Sequence, residues 1–271
     1  MSKRPRVLVT LEGYSVEGGL DGAYLPATCY SPTIALGRHR GPGDAEMLWR
    51  DYERVLDLVP ALGLDGVRLS LEWARLEPRR DVYDDEALAR YRRAIEHARS
   101  LDLAVTVVLV DAAWPSWLGL EAWLLPWVVE RVLAHARRVV GALGDVMGGL
   151  VVFSDPEALV TRGYLEAGAP PWRRGQRDDA RSVAAQLARI VALVREDPAL
   201  SSHLVAKTAT LSLDARHDAL ARDFLASDAD EVYVRSLLRG AGPTSAPRGL
   251  LVRRDDQWVL GPQAELLSVF A

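Results

Sequence analysis

The stretch LGLDGVRLSLEWARLEP at residues 62–78 decides the fold of this chain. Its central part, residues 66–71, is a nearly continuous apolar run, which is typical of a parallel strand buried on both faces. A helical pattern of apolar residues precedes this run at residues 46–62, and a second one follows it at residues 85–100. Arg68 interrupts the run, and because an unpaired buried guanidinium is very costly, we expect a polar partner for it. The stretch therefore predicts a helix–strand–helix unit with one buried charge.

Strand and helix patterns alternate along most of the chain. Further strands are predicted at residues 6–10, 104–110, 149–153, 204–211 and 231–236, and further helices at residues 127–144 and 178–195. Such alternation indicates a parallel sheet with helices covering its faces. Periodicity leaves an open doubly wound sheet and a barrel as alternatives. The sequence has no Gly-x-Gly-x-x-Gly after the first strand and no Walker motif, which weakens the case for nucleotide binding.

Composition favours a single soluble domain. The chain has 271 residues, of which 49% are hydrophobic, and we expect residues 1–271 to form one domain around one core. The net charge of −4 and the interspersed charges argue against a nucleic-acid partner. Cys29 is the single cysteine, so no disulfide is predicted. No segment has the length of a membrane span or a signal sequence, so a cytoplasmic location is expected, and the arginine-rich, lysine-poor composition suggests a bacterial gene.

Several motifs keep the order and spacing of one enzyme family. The first strand leads into Gly-Tyr-Ser-Val-Glu-Gly at residues 13–18, and residues 62–78 follow the pattern Leu-Gly-x-x-x-Tyr-Arg-Phe-Ser-Ile-x-Trp-x-Arg-Ile-x-Pro. Pro-Ser-Trp-Leu at residues 115–118 and Gly-Tyr at residues 163–164 fall at the family spacing. Over about its first 172 residues, the chain resembles glycoside hydrolase family 1, the β-glucosidase group. The resemblance implies an α/β fold, a shortened (β/α) barrel of the triosephosphate isomerase type with about six recognisable strands.

The departures from this family concern its site residues. Where the family has Asn-Glu-Pro, whose glutamate is the general acid/base, this chain has Ser154 and Asp155 before the proline. The sugar-binding glutamine of the first loop is Ser15, and the histidine after the third strand is Asp111. No Thr-Glu-Asn-Gly nucleophile motif occurs, and the final two strand units are not recognisable. Because a retaining glycosidase needs two carboxyl groups about 5–5.5 Å apart, the resemblance implies altered or lost glycosidase chemistry.

Three residues are predicted to be catalytic, each with a structural alternative. Asp155 follows the fourth strand, where barrel sites lie, and is either a shortened acid or an ordinary turn aspartate before a proline. Arg68 is expected to pair with Asp155 or Asp111 in the barrel mouth, or to form a purely structural pair. Asp111 is either a site carboxylate, or a solvated loop aspartate or helix cap. The predicted substrate-binding residues are Tyr14, Ser15, Trp114, Ser154 and Glu157.

No cofactor and no metal ion are predicted. The five histidines lack the spacing of metal ligands, and His97 and His135 are expected at helix surfaces or boundaries. An incomplete barrel exposes two strand edges, and exposed edges favour unwanted pairing. Either the carboxyl-terminal segment replaces the last strands, or a homodimer covers the gap.

Three functions remain open after the sequence is considered. The first is a divergent enzyme, such as a biosynthetic one, that acts on a small polyhydroxylated or glycosylated molecule through Asp155 and Arg68, without standard retaining β-glucosidase activity. The second is an unusual active glycoside hydrolase. The third is a non-catalytic pseudoglycosidase that binds a ligand or a partner protein. A small-molecule ligand is expected, and neither nucleic acid nor a membrane is predicted as a partner.

Overall fold

Parallel strands form the main sheet of the protein. The computed structural model describes residues 6–21 and 26–204, together with the backbone of four later strands. The strands of the main sheet are β1 (Arg6–Leu11), β2 (Gly66–Ser70), β3 (Ala104–Val110), β4 (Gly149–Phe153), β5 (Thr208–Leu211) and β6 (Glu231–Val234). They are all parallel and lie in the order β4-β3-β2-β1-β6-β5. A separate antiparallel pair consists of β7 (Leu250–Arg254) and β8 (Gln257–Gly261).

The main strands lie where the sequence predicts them. β3 and β4 have the predicted bounds, and β1 and β2 each differ from prediction by one residue at the carboxyl end. The fifth predicted strand, residues 204–211, is shorter, since β5 begins at Thr208 and Leu204 makes a single parallel bridge to Leu150 of β4. The β7–β8 pair is an addition to the prediction. Residues 205–207 and 235–236 of the predicted strands lie outside the described residues.

Helices connect the strands and cover the sheet. They are α1 (Gly13–Val16), α2 (Ser31–Ala35), α3 (Tyr52–Ala61), α4 (Trp73–Leu76), α5 (Asp85–Ser100), α6 (Val128–Leu143), α7 (Pro156–Val160), α8 (Arg177–Glu196) and α9 (Pro198–Ser201). The predicted bounds hold for α5, and α6 and α8 differ from prediction by one residue at each end. No helix within the described residues is long and apolar enough to cross a membrane.

The helix predicted at residues 46–62 is shorter than expected. It begins at Tyr52, because the Asp51 side chain accepts a hydrogen bond from the backbone N–H of Arg54 and caps the first turn. Upstream, Ala45 and Met47 have φ values of 48° and 59°. These are left-handed conformations that an α-helix cannot contain, so the chain turns there instead.

Alternation along the strands separates a polar face of the sheet from an apolar one. Thr10, Arg68 and Thr106 occupy facing register positions on β1, β2 and β3, so these buried side chains share one face. Val67 and Leu69 point the other way and join the core beneath α3. Burying each such side chain contributes roughly 1.5–3 kcal/mol, which holds the helices on this face. Because the main strands are all parallel, their carboxyl ends meet at one edge of the sheet, which is where barrel sites lie.

Candidate functional site

A cavity of about 320 Å³ opens at the carboxyl ends of β1, β3 and β4. Tyr14 and Ser15 reach the cavity from α1, directly after β1. Asp111 and Trp114 reach it from the loop after β3, and Asp155 from the turn after β4. Five residues predicted from the sequence therefore line one cavity, although they come from three separate strand ends. Side chains gathered from several strand ends are the usual make-up of a barrel site.

The other three predicted site residues, Arg68, Ser154 and Glu157, are not among the described residues that line this cavity. Arg68 donates a hydrogen bond of 2.9 Å from Nη2 to the carbonyl oxygen of Ser154, which ties β2 to the end of β4 just before Asp155. Glu157 is exposed and lines a separate apolar groove between α7 and α8. The turn at Pro156 thus directs Glu157 and Asp155 to different surfaces.

Asp155 has a structural contact in addition to its place in the cavity wall. Its Oδ1 accepts a hydrogen bond of 2.9 Å from the backbone N–H of Ala158, so Asp155 is the N-cap of α7, and Pro156 is the first residue of that helix. A carboxylate at a helix N-terminus is also stabilised by the helix dipole. Asp155 is partly buried. Because its side chain caps α7, the start of this helix sets the position of Asp155 beside the cavity.

Two buried polar atoms of the cavity wall have no hydrogen-bond partner among the described residues. They are Tyr14 Oη and Asp111 Oδ2. Burial is the largest cause that raises the pKa of the Tyr14 phenol, and the neighbouring Tyr30 raises it further. An unsatisfied buried polar group costs about 1–3 kcal/mol. Because both residues line the cavity, these two groups are the candidate contacts for a polar group of a ligand.

Aromatic rings form one wall of the cavity. The Tyr14 and Tyr30 rings stack with centroids 4.4 Å apart, and Trp172 lies edge-on to Tyr30 at 5.9 Å. His39 lies on Tyr30 at 4.9 Å. Trp114 also lines the cavity, and its Nε1 donates to the carbonyl oxygen of Gly119 at 2.9 Å, which fixes the orientation of its ring. Tyr30, His39 and Trp172 were not identified from the sequence, because they lie in loops without a regular pattern.

Beside the cavity lies a buried acidic residue that the sequence prediction missed. Glu72 follows β2, and burial is the main cause that raises its pKa to about 8, with the charge of Glu17 as the second cause. The charge of Asp111 acts in the same direction. Burial and the charge of Glu17 thus both favour the protonated form of Glu72. Glu72 follows a strand, as Asp111 and Asp155 do. The same feature of the sequence could therefore have identified Glu72 as a candidate site residue.

Comparisons with known proteins agree with the fold described above. No protein-family model matches the chain. A β-glucosidase-like chloroplastic protein of Oryza sativa subsp. japonica is 29% identical over 142 residues, which cover 49% of this chain and 22% of the relative. A β-glucosidase of Agrobacterium sp. is 24% identical over 168 residues, which cover 60% of this chain and 36% of the relative. The solved structure of a β-glycosidase from Pyrococcus horikoshii matches with a TM-score of 0.68 at 21% identity, and the match covers 82% of this chain and 52% of that one.

The chain resembles the family 1 β-glucosidases. The resemblance predicted from the motifs is thereby confirmed, and so is the fold class, a partial (β/α) barrel. The chain spans about a fifth to a third of the length of these curated relatives and about half of the solved structure. These partial matches therefore do not by themselves assign the catalytic activity of such proteins to this chain.

Three departures of this β-glucosidase-like chain from the family motifs fall at the cavity, whereas Ser154, which replaces the family asparagine, is not among the described residues of its wall. Ser15, Asp111 and Asp155 replace family residues, and all three line the cavity wall. Within the described part of the chain, no group of three or more His, Cys, Asp or Glu side chains is placed to hold a metal ion. The described cavity wall thus combines aromatic rings with polar groups that differ from the family motifs.

The two helical histidines lie away from the residues of the cavity wall. His97 is partly exposed on α5, as predicted, with Nε2 2.8 Å from Asp57 Oδ1. The prediction for His135 is wrong, because the apolar stripe of α6 carries this residue into the core. Its ring stacks on Trp73 at 4.5 Å, and burial lowers its pKa to about 3. His135 is therefore a neutral packing residue at physiological pH.

Proposed function

We propose that this β-glucosidase-like chain binds a small polyhydroxylated molecule in the strand-end cavity and acts on it through acid/base chemistry of Asp155 and Asp111. The observation that carries the proposal is the meeting of Tyr14, Asp111, Trp114 and Asp155 in one cavity. Aromatic faces pack against the C–H face of a sugar ring, and carboxylate oxygens accept hydrogen bonds from its hydroxyl groups. The volume of about 320 Å³ is at the lower end of the range for ligand pockets, which suits a molecule of monosaccharide size.

The proposed chemistry is proton transfer at a hydroxyl or glycosidic oxygen. Asp111 Oδ2 is buried without a hydrogen-bond partner among the described residues, so it is available to accept a ligand proton. Asp155 is one methylene shorter than the glutamate found in the family, and its Oδ1 caps α7. This arrangement favours an altered reaction over standard retaining hydrolysis, because a shorter acid reaches a leaving oxygen only if the ligand sits deeper.

The binding step is tested by titrating the chain with monosaccharides and following tryptophan fluorescence. Trp114 and Trp172 line the cavity, so an occupied site is expected to change the emission in a saturable way. Trp172→Ala should weaken binding about tenfold or more, because it removes part of the aromatic wall. Trp127→Ala is the matched control, since Trp127 is 38% exposed and is not among the described residues of the cavity wall. Equal binding by both variants, or no saturable change with any sugar, would contradict the proposal.

The chemical step is tested by Asp155→Asn. We expect any turnover of a bound molecule to be lost in this variant while binding is kept, because the amide keeps the shape and the capping oxygen but cannot exchange the proton. Turnover that continues unchanged in Asp155→Asn would exclude Asp155 from the chemistry.

A second candidate function is ligand binding without catalysis. The observation that favours it is the cap that Asp155 provides to α7, since this contact gives the aspartate a purely structural role. This candidate predicts saturable binding with no turnover, and unchanged affinity in Asp155→Asn. Product analysis after a bound molecule is incubated with the wild-type chain distinguishes the two candidate functions, because only the first forms a product.

A further inference from the structure

We propose that the ligand of the cavity carries a protonated amine, as in an amino sugar or another aminated polyol, instead of being a neutral sugar. The inference rests on the proposed function and narrows its substrate class. It follows from the charge of the cavity wall, from the unpartnered atoms in that wall and from the aromatic rings beside them.

The first step concerns the carboxylate of Asp111. Its Oδ2 lies buried in the cavity wall and has no hydrogen-bond partner within the described part of the chain. A neutral hydroxyl can donate to this oxygen but leaves its charge uncompensated. A hydrogen bond from an ammonium group is roughly twice as strong as one between neutral groups, and it supplies the missing positive charge. A buried carboxylate of this kind therefore favours a cation.

The second step concerns Tyr14, which is 9% exposed. The residue lines the cavity, and its buried hydroxyl has no hydrogen-bond partner in the described residues. A primary ammonium has three N–H donors in a compact group. Such donors suit the phenol oxygen of Tyr14 and the Oδ2 of Asp111, which are the two unpartnered atoms of the described cavity wall. Each of these two polar groups can therefore accept a hydrogen bond from an ammonium.

The third step concerns the electrostatic surroundings of these two groups. Among the described residues that line the cavity, Asp111 and Asp155 carry carboxyl groups, and Arg162 carries a guanidinium. Of the nearby cations, Arg75 is paired with Glu17, and Arg68 donates to a backbone carbonyl. Arg162 lines the cavity and is exposed, and its Nη2 donates to the carbonyl oxygen of Gly168. Among the described residues of the cavity wall, two carboxyl groups thus stand against one guanidinium.

The fourth step concerns the aromatic wall. Tyr14 stacks on Tyr30, and Trp172 lies edge-on to Tyr30, so aromatic rings line the same cavity as the carboxylate of Asp111. Aromatic faces attract cations within about 6 Å of the ring centroid. Aromatic rings combined with a carboxylate are therefore better suited to an ammonium than to an uncharged hydroxyl. The family histidine that Asp111 replaces would not supply this negative charge.

The test is isothermal titration calorimetry at pH 6 with three matched pairs of ligands. The pairs are D-glucosamine with D-glucose, D-galactosamine with D-galactose, and D-mannosamine with D-mannose. We expect at least one amino sugar to bind about tenfold or more tightly than its neutral partner, as one charge-assisted hydrogen bond provides. In Asp111→Asn the ratio should fall below about threefold, because the amide keeps the shape and loses the charge. Asp178→Asn is the control, since it removes the same charge from an exposed position on α8 and should keep the ratio.

The outcomes separate this inference from the proposed function. Equal affinity for the two members of every pair would overturn the amine inference and leave sugar binding intact. No binding of any of the six compounds would overturn both. If Asp111→Asn does not fold, Asp111→Ser removes the same charge with less bulk, and a preference for the amine that persists there would also overturn the inference.

Discussion

Arg75 and Glu17, which are 58 residues apart in the chain, form a buried ion pair with Nε 2.6 Å from Oε2. Arg75 also donates to the carbonyl oxygen of Gly18, and the hydroxyl of Tyr91 donates to Glu17 Oε1. These contacts join the loop after β1 to α4 and α5. Because Glu17 is the C-cap of α1, the helix that carries Tyr14 to the cavity, the ion pair holds one wall of the candidate site in place.

Loss of this ion pair is expected to destabilise the fold strongly. Arg75→Met leaves Glu17 as a buried carboxylate without its cation, and the free energy of unfolding should fall by about 3–5 kcal/mol in urea denaturation. Arg181→Met breaks the exposed pair between Arg181 and Asp178 and should cost at most about 1 kcal/mol. Similar losses in the two variants would show that the buried pair contributes no more than a surface one.

Glu72 makes stability depend on pH in a defined window. Its pKa is about 8 in the folded chain, above the ordinary value of 4.5, so unfolding releases its proton at intermediate pH. Its contribution to stability is fully present below about pH 4.5 and is lost as the pH rises through about 8. Glu72→Gln keeps an acceptor for the backbone N–H of Ala74 and removes this titration. The variant should therefore gain stability relative to wild type between these limits, and parallel pH profiles from urea titrations would contradict the shift.

The helix cap provided by Asp155 can be separated from any chemistry by two substitutions. Asp155→Ala removes the hydrogen bond to the backbone N–H of Ala158 and should cost about 0.5–2 kcal/mol of unfolding free energy. Asp155→Asn keeps a capping oxygen and should cost much less. Chemical denaturation of both variants checks this order. Equal stabilities would mean that the cap contributes little and that the aspartate is kept for another reason.

Hydrolysis of 4-nitrophenyl β-D-glucoside is expected at or near the background rate. The acid/base glutamate of the family is replaced by the shorter Asp155, whose Oδ1 is engaged by Ala158. Release of nitrophenol is measured for the wild type and for Asp155→Ala purified in the same way. A turnover that survives stringent purification and disappears in Asp155→Ala would show instead that the chain is an active, unusual glycoside hydrolase.

The fold was predictable from the sequence where local pattern and burial agree. β3 and β4 are apolar runs buried on the sheet, and α5 is an amphipathic helix whose N-cap, Asp84, precedes it directly. The start of α3 was not predictable, because it depends on left-handed backbone at Ala45 and Met47, residue types that give no indication of this conformation. Strand pairing such as that of β6 with β1 is a long-range contact that no local pattern specifies.

The candidate site was predictable where residues follow strands in the family register. Asp111 and Asp155 were identified in this way, and both line the cavity. Glu157 was included because it is close to Asp155 in sequence, but the turn into α7 places it on another groove. Tyr30 and Trp172 depend on how loops fold back across the strand ends, which the sequence does not reveal.

Tyr14 and Tyr164 are both buried, and the Oη of each lacks a hydrogen-bond partner among the described residues. Tyr164 therefore serves as a matched control for substitutions of Tyr14. Tyr14→Phe and Tyr164→Phe each remove an unsatisfied buried group, so each should raise the free energy of unfolding by about 1 kcal/mol in the absence of ligand. Only Tyr14→Phe should weaken ligand binding, because Tyr164 is not among the described residues of the cavity wall. Urea denaturation and calorimetric titration with the tightest-binding sugar measure the two effects. If both variants bind the sugar as well as wild type does, the Tyr14 hydroxyl takes no part in recognition and the ligand must be held by Asp111 and the aromatic rings.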